Sequence, residues 1–306
     1  MRRIDKILLA INQQYPGRVE ARAALLAPGL GIDAFDVVAV KRTGAGLGRA
    51  TTAYSHIRVG PGALRALTGS AAWTGTPAAF ADAIESAWTV QRAQPAEVIA
   101  GAAERIGADL TLAAGNSSPR LPSWVRSSRD ADLIRLCRCP VLLVHGEPCE
   151  TYRTVVVAID FSRASLAAAR TAALLAPTAR FIFIHACRLP EELMMRELDL
   201  PVSALDAYRT RVRAAGGARL DEFIDLYLRD MPPGTRETRA GRPHAVVADC
   251  VHRHGADLLV LGRGATHPGA WLSCSNVMHR LVSDSLCDIL VGADRSGTDD
   301  APRLAA

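Results

Sequence analysis

Ile106-Gly107-Ala108-Asp109-Leu110 returns as His254-Gly255-Ala256-Asp257-Leu258, 148 residues further on, and this recurrence decides the fold. The same interval separates Cys139-Pro140-Val141-Leu142 from Cys287-Asp288-Ile289-Leu290, Pro95 from Pro243, and the apolar run 6–12 from the run 154–160. Ala23-Ala24-Leu25-Leu26-Ala27-Pro28 and its copy at 172–177 stand 149 apart, which places a one-residue difference in the first loop. Landmarks that keep one order at one spacing mark a duplicated unit. The period is far longer than a solenoid repeat, so the unit is a whole domain. The expected division is 1–148 and 149–296, with 297–306 as a polar tail.

Each half alternates strand with helix. In the second half, Val155–Ile159 is short, apolar and β-branched, as a strand buried on both faces should be. A helix is predicted over 165–176, stopped by Pro177. Strands follow at Phe181–His185 and Arg236–Ala240, with a long charged helix at 202–230 between them. A helix over 245–254 stops at Gly255, and Leu258–Leu261 is the next strand. A last helix spans Val277–Ser285 and a last strand Ile289–Val291. This order implies two tandem doubly wound α/β domains, each a five-stranded, mostly parallel sheet with helices on both faces. In the first half, residues 43–80 are rich in Gly, Ala and Thr and lack periodicity. They read as a variable surface insertion, with a helix at roughly 77–88.

Composition excludes other classes. With 306 residues, 49% hydrophobic and 22% charged, the chain is globular. Seven cysteines in no framework spacing, and no leader-like apolar run near the start, point to reduced thiols and a cytoplasmic location. No stretch is apolar for long enough to span a membrane. Residues 1–148 hold 17 Lys+Arg against 12 Asp+Glu and residues 149–306 hold 19 against 19, so the whole net charge of +5 lies in the first half.

Motifs for common chemistries are missing. Neither lysine, Lys6 or Lys41, follows a glycine, which excludes a Walker A loop. In Gly44-Ala45-Gly46-Leu47-Gly48-Arg49, arginine occupies the third glycine position of a dinucleotide loop, so a flexible loop is the better reading. His252 and His254 suit a helix C-terminus, and with no third ligand that could be placed beside them no metal is assigned. Cys137-Arg138-Cys139 is too tight for Cys-x-x-Cys chemistry, and Cys139 and Cys287 read as packed thiols. His279 reads as a surface or core residue. Arg120, Arg126, Arg129, Arg135 and Arg138 form a solvated face or an anion patch; only Trp124 interleaves them, so nucleic acid is not an expected partner.

In a doubly wound sheet, ligands bind beyond the carboxyl ends of the strands at the switch point. Leu261-Gly262-Arg263-Gly264-Ala265 leaves the fourth strand and runs to Ser275-Asn276 at a helix start, whose N–H groups suit an anion. Asp160 closes the first strand, where it can accept a hydrogen bond from a base or ribose.

The element order, Asp160-Phe161-Ser162, Gly241-Arg242-Pro243, the two Gly-Ala-Asp-Leu phrases and Cys139-Pro140-Val141-Leu142 together resemble the universal stress protein family. The resemblance covers both halves apart from 43–80 and the tail, as in a tandem member. It implies that nucleotide-binding members hold ATP or AMP on a G-x2-G-x9-G-[S/T] loop, with the first-strand Asp near the adenine. Carried onto this chain, the loop positions are Gly262, Ala265, Ser275 and Asn276. In the first half they are Ala114, Ser117, Ser127 and Ser128, with Asn12 in place of the aspartate. The candidate nucleotide-site residues are therefore Ile159, Asp160, Ala186, Gly262, Ala265, Ser275, Asn276 and Val277. Ala265 restricts close approach and φ > 0 where the family has glycine, and Ser275 and Asn276 also read as plain helix caps.

The implied function is a non-catalytic stress-adaptation protein acting through protein partners, with no cofactor and a nucleotide site lost in the first half and weakened in the second. The alternative is an ATP or AMP sensor, with magnesium, that uses the second half alone. An adenylating or pyrophosphatase enzyme would need a Ser-Gly-Gly-x-Asp-Ser-type loop after the first strand, and neither half has one. The last strands, Val141–Val144 and Ile289–Val291, are expected to pair the halves as an intramolecular pseudo-dimer, with a homodimer as the further assembly.

Overall fold

A computed structural model describes residues 3–12, 17–42, 52–62, 89–115, 123–263, 277–278, 280–282 and 287–293. In its first half, strands β1 (Ile7–Asn12), β2 (Phe35–Arg42), β3 (Thr52–Val59), β4 (Thr89–Gln91), β5 (Leu110–Ala114) and β6 (Val141–Val144) accompany helices α1 (Arg18–Leu30), α2 (Pro95–Ile106) and α3 (Ser123–Leu136). The second half has β7 (Thr154–Ala158), β8 (Arg180–Cys187), β9 (Gly234–Ala240), β10 (Leu258–Gly262) and β11 (Asp288–Gly292). Its helices are α4 (Arg163–Leu175), α5 (Glu192–Glu197), α6 (Val202–Tyr227) and α7 (Pro243–His254).

The recurring phrase performs the same task twice. Gly107 and Gly255 take φ of 65° and 56° to end α2 and α7, a backbone setting that glycine reaches without a Cβ penalty. The alanine after each is buried. Asp109 then accepts backbone N–H groups of Asp5 and Lys6 at 3.1 and 3.2 Å. Asp257 does the same for Arg153 and Thr154 at 2.8 and 3.1 Å. Each aspartate thus ties the start of one strand to the start of the first strand of its half, and each leucine opens β5 or β10.

The eleven described strands form one sheet in the order β4-β3-β2-β1-β5-β6-β11-β10-β7-β8-β9. β6 and β11 join the halves antiparallel, Leu142 opposite Leu290. Alternation sends neighbouring residues to opposite faces: Leu9, Leu112, Val157 and Val260 pack under α1, α4 and α6. Leu8, Ala113, Val156 and Leu259 pack under α2 and α7. Two covered faces explain strands without polar alternation.

The halves are not both five-stranded. Residues 43–80 do not form only a surface insertion: Thr52–Val59 is strand β3, paired antiparallel to β2 with Phe35 opposite Val59. In the second half the corresponding strand, β9, runs parallel to β8. The connection lengths decide this. A parallel return needs a crossover of a dozen or more residues, usually helical. Residues 188–233 supply it through α5 and α6, whereas only residues 43–51 lie between β2 and β3, so that chain must turn straight back. The helix at 77–88, the Gly44–Gly48 loop and His279 lie outside the described residues. So does the 297–306 tail.

Candidate functional site

In the second half the strand order departs from the chain order between β7 and β10, which are parallel neighbours. A cavity of about 420 Å³ opens beyond the carboxyl ends of β7, β8 and β10, the place where doubly wound sheets bind ligands. Ile159, Asp160, Ala186, Gly262 and Val277 all line it. Ala265, Ser275 and Asn276 lie outside the described residues, and so does most of the loop that joins them.

Asp160 starts the turn into α4. Its Oδ1 accepts the backbone N–H of Ser162 at 3.0 Å and the Ser162 hydroxyl at 2.5 Å. Ser162 Oγ in turn accepts the N–H of Ser165 at 3.1 Å, capping the helix. An ionised carboxylate has about four acceptor positions, so these local bonds leave capacity for a ribose or base.

The glycine shared with the family pattern has a packing cause of its own. A Cβ on Gly262 would lie 2.5 Å from the backbone nitrogen of Ser165 and 2.9 Å from its Cα. The end of β10 therefore runs against the first turn of α4, and the floor of the cavity is backbone on backbone.

Four contributors went unnoticed in the sequence. Phe161 sits between the two signal residues Asp160 and Ser162, with φ of 62°; this is uncommon for a bulky side chain and typical of functional turns. The Phe161 ring lies 4.4 Å from the His185 ring, and the Arg219 guanidinium stands 4.4 Å above it. His185 Nδ1 lies 2.8 Å from the Ile159 carbonyl oxygen, and burial first of all pushes its pKa down. The imidazole is thus neutral near pH 7, donating through Nδ1. Arg188 completes the set, and with Arg219 and Arg263 it faces a single carboxylate, Asp160, among the described lining residues. No motif announces Arg219: it belongs to α6, far along the chain, and only the packing of α6 on β8 and β9 brings it in.

Arg263, next to Gly262, reaches into the other half. Its guanidinium donates to the carbonyl of Cys137 and, at 3.4 Å, to that of Arg135 at the end of α3. The equivalent first-half position is Gly115, where a Cβ would lie 2.5 Å from the imidazole Nε2 of His145. An arginine there has no room, so the arm exists in one direction only.

The remaining residues singled out from their sequence pattern have structural settings. Ala114 ends β5 and is buried, and Asn12 ends β1. Arg135 pairs with Asp132 and Arg138 with Glu104, both at exposed positions. Nothing is described of Arg120 or of the Trp124, Arg126 and Arg129 side chains; Ser117 and the side chains of Ser127 and Ser128 are likewise outside. Cys139 and Cys287 are buried, Cys139 with its sulfur 3.2 Å from the Thr111 hydroxyl. No described helix is long and apolar enough to cross a membrane.

Known proteins place this geometry. The family model described as Universal stress protein family matches residues 151–292. The crystal structure of a universal stress protein from Archaeoglobus fulgidus DSM 4304 is 13% identical, with a TM-score of 0.57 over 94% of this chain and 96% of that one. A functionally unknown protein from Pseudomonas aeruginosa PAO1 is 16% identical, with a TM-score of 0.58 over 95% of this chain and 93% of that one. At such identities these structures share the fold. No curated protein matches the chain.

Proposed function

The chain belongs to the universal stress protein family through residues 151–292, and from that premise we propose a non-catalytic stress-adaptation protein that acts through protein partners and keeps a weakened adenine-nucleotide site in its second half alone. The proposed units are the duplicated halves 1–148 and 149–296, working in the cytoplasm. The carrying observation is the cavity itself: among the described residues, three arginines and one carboxylate line about 420 Å³ at the switch point. A net positive rim beside a helix start favours phosphate.

Weakness has two causes. Arg263 is committed to the carbonyls of Arg135 and Cys137, which removes it from a phosphate. Ala265 replaces the glycine that would let backbone approach one. Among the described residues the lining contains no serine, threonine, cysteine or lysine.

Calorimetric titration of the full chain with ATP and magnesium is the test. Weak binding is expected, and Asp160→Ala or Arg188→Ala should lower affinity about tenfold or more, the worth of a charged hydrogen bond. Absence of heat at millimolar ATP would remove the nucleotide part of the proposal. Phosphate release above that of Asp160→Ala would remove the non-catalytic part.

A further inference from the structure

On the far side of the second half, three side chains of different chemistry converge. Cys250 and His254 are four residues apart on α7 and so share a helix face. Glu237 projects from the neighbouring edge strand β9, which reaches α7 through the short Gly241-Arg242 turn. One ligand atom from each of the three lies within 4.8 Å of the others. We propose that Glu237, Cys250 and His254 form a site for a zinc-class divalent cation, with water as the fourth ligand.

The donor set selects the metal. Thiolate and imidazole suit zinc and its neighbours, whereas magnesium and calcium require an all-oxygen shell. With Cys250 as thiolate, Glu237 ionised and His254 neutral, the two protein charges balance the cation. In a tetrahedral shell, zinc-bound atoms stand about 3.4–3.8 Å apart, given bond lengths near 2.0–2.3 Å. The present 2.5 Å contact between Glu237 Oε1 and His254 Nε2 therefore opens slightly as the metal replaces the shared proton.

The surroundings are those of a supported site. Arg253 holds the other oxygen of the same carboxylate, Glu237 Oε2, at 2.9 Å, and it donates to Asp249 at 2.9 Å. Arg239 grips Asp249 from β9. This chain fixes Glu237 while leaving Oε1 for a ligand, as outer partners do at metal sites. Cys250 is fully buried, while the His254 and Glu237 side chains are each 19% exposed, which leaves a wet fourth position. Metal entry releases the Cys250 thiol proton to solvent.

This assignment stands apart from the nucleotide proposal. Its test is titration of the chelator-treated full chain with cobalt(II), followed by zinc. A thiolate-to-cobalt charge-transfer band in the near ultraviolet is expected, bleached by a stoichiometric amount of zinc. Cys250→Ser should abolish the band. His254→Gln and Glu237→Gln should each weaken binding by more than the about 10–100-fold that loss of an outer partner costs. Cys149→Ser, at the exposed cysteine, should leave the band intact. Should Cys250→Ser fail to fold, the partly exposed His254→Gln carries the test alone. A wild-type protein without the band overturns the proposal. So does an unchanged cobalt affinity in His254→Gln, or a band lost in Cys149→Ser.

Discussion

Glu20 enters the first turn of α1 with its side chain buried, and its Oε2 meets no hydrogen-bond donor among the described residues. Burial raises its pKa from 4.5 to about 7. Below pH 4.5 folded and unfolded chains are both protonated there, so the group carries no penalty. Between 4.5 and about 7 the unfolded chain gives up the proton and the folded chain keeps it, so stability falls as pH rises. The full loss above pH 7 is on the order of 3 kcal/mol. Glu20→Gln should match the wild type near pH 4 and exceed it by about that amount near pH 8, in urea unfolding at the two pH values.

At the scale of elements, the contact between β10 and α4 carries the most information. Gly262 stands where the family pattern has a phosphate-loop glycine, yet the Ser165 backbone beneath it leaves no space for a Cβ regardless of ligand. Backbone cannot step aside as a flexible side chain can. Gly262→Ala should cost about 1–3 kcal/mol, the usual penalty of overpacking, measured by thermal or denaturant unfolding without nucleotide. A loss appearing only when nucleotide is present would assign the glycine to the ligand instead. The same scale explains β3: the 43–51 connection is too short for a crossover like the one that carries α6 and Arg219 between β8 and β9.

Across the whole molecule, the halves are locked by one buried cluster as well as by strand pairing. Asp288, at the start of β11, accepts Arg22 Nε at 2.8 Å, the Tyr152 hydroxyl at 2.8 Å and the His145 N–H at 2.9 Å. Arg22 lies 4.1 Å over the Tyr152 ring and donates to the Glu150 carbonyl. Helix α1, the 145–152 connection and the last strand thus meet at one carboxylate. Asp288→Asn keeps the shape but leaves the Arg22 guanidinium buried without its counter-charge. A loss of about 3–5 kcal/mol is expected, read as a lower urea midpoint, with part recovered in Arg22→Met/Asp288→Asn.

Residue order alone carries the α/β class, the 148-residue recurrence, most second-half elements to within a few residues, and the cavity positions Ile159, Asp160, Ala186, Gly262 and Val277. These are local matters: periodicity, helix stops and the strand ends where a doubly wound sheet binds. It could not disclose the antiparallel β3, because a segment rich in Gly, Ala and Thr has no strand alternation to read and its direction depends on what it pairs with. Tertiary packing was needed to bring Arg219 over Phe161, turn Arg263 toward the other half and set Glu237 beside Cys250 and His254. Each of those contacts joins residues far apart in the chain or on different elements. Their meeting depends on how helices settle on a sheet, which no single stretch of residues records.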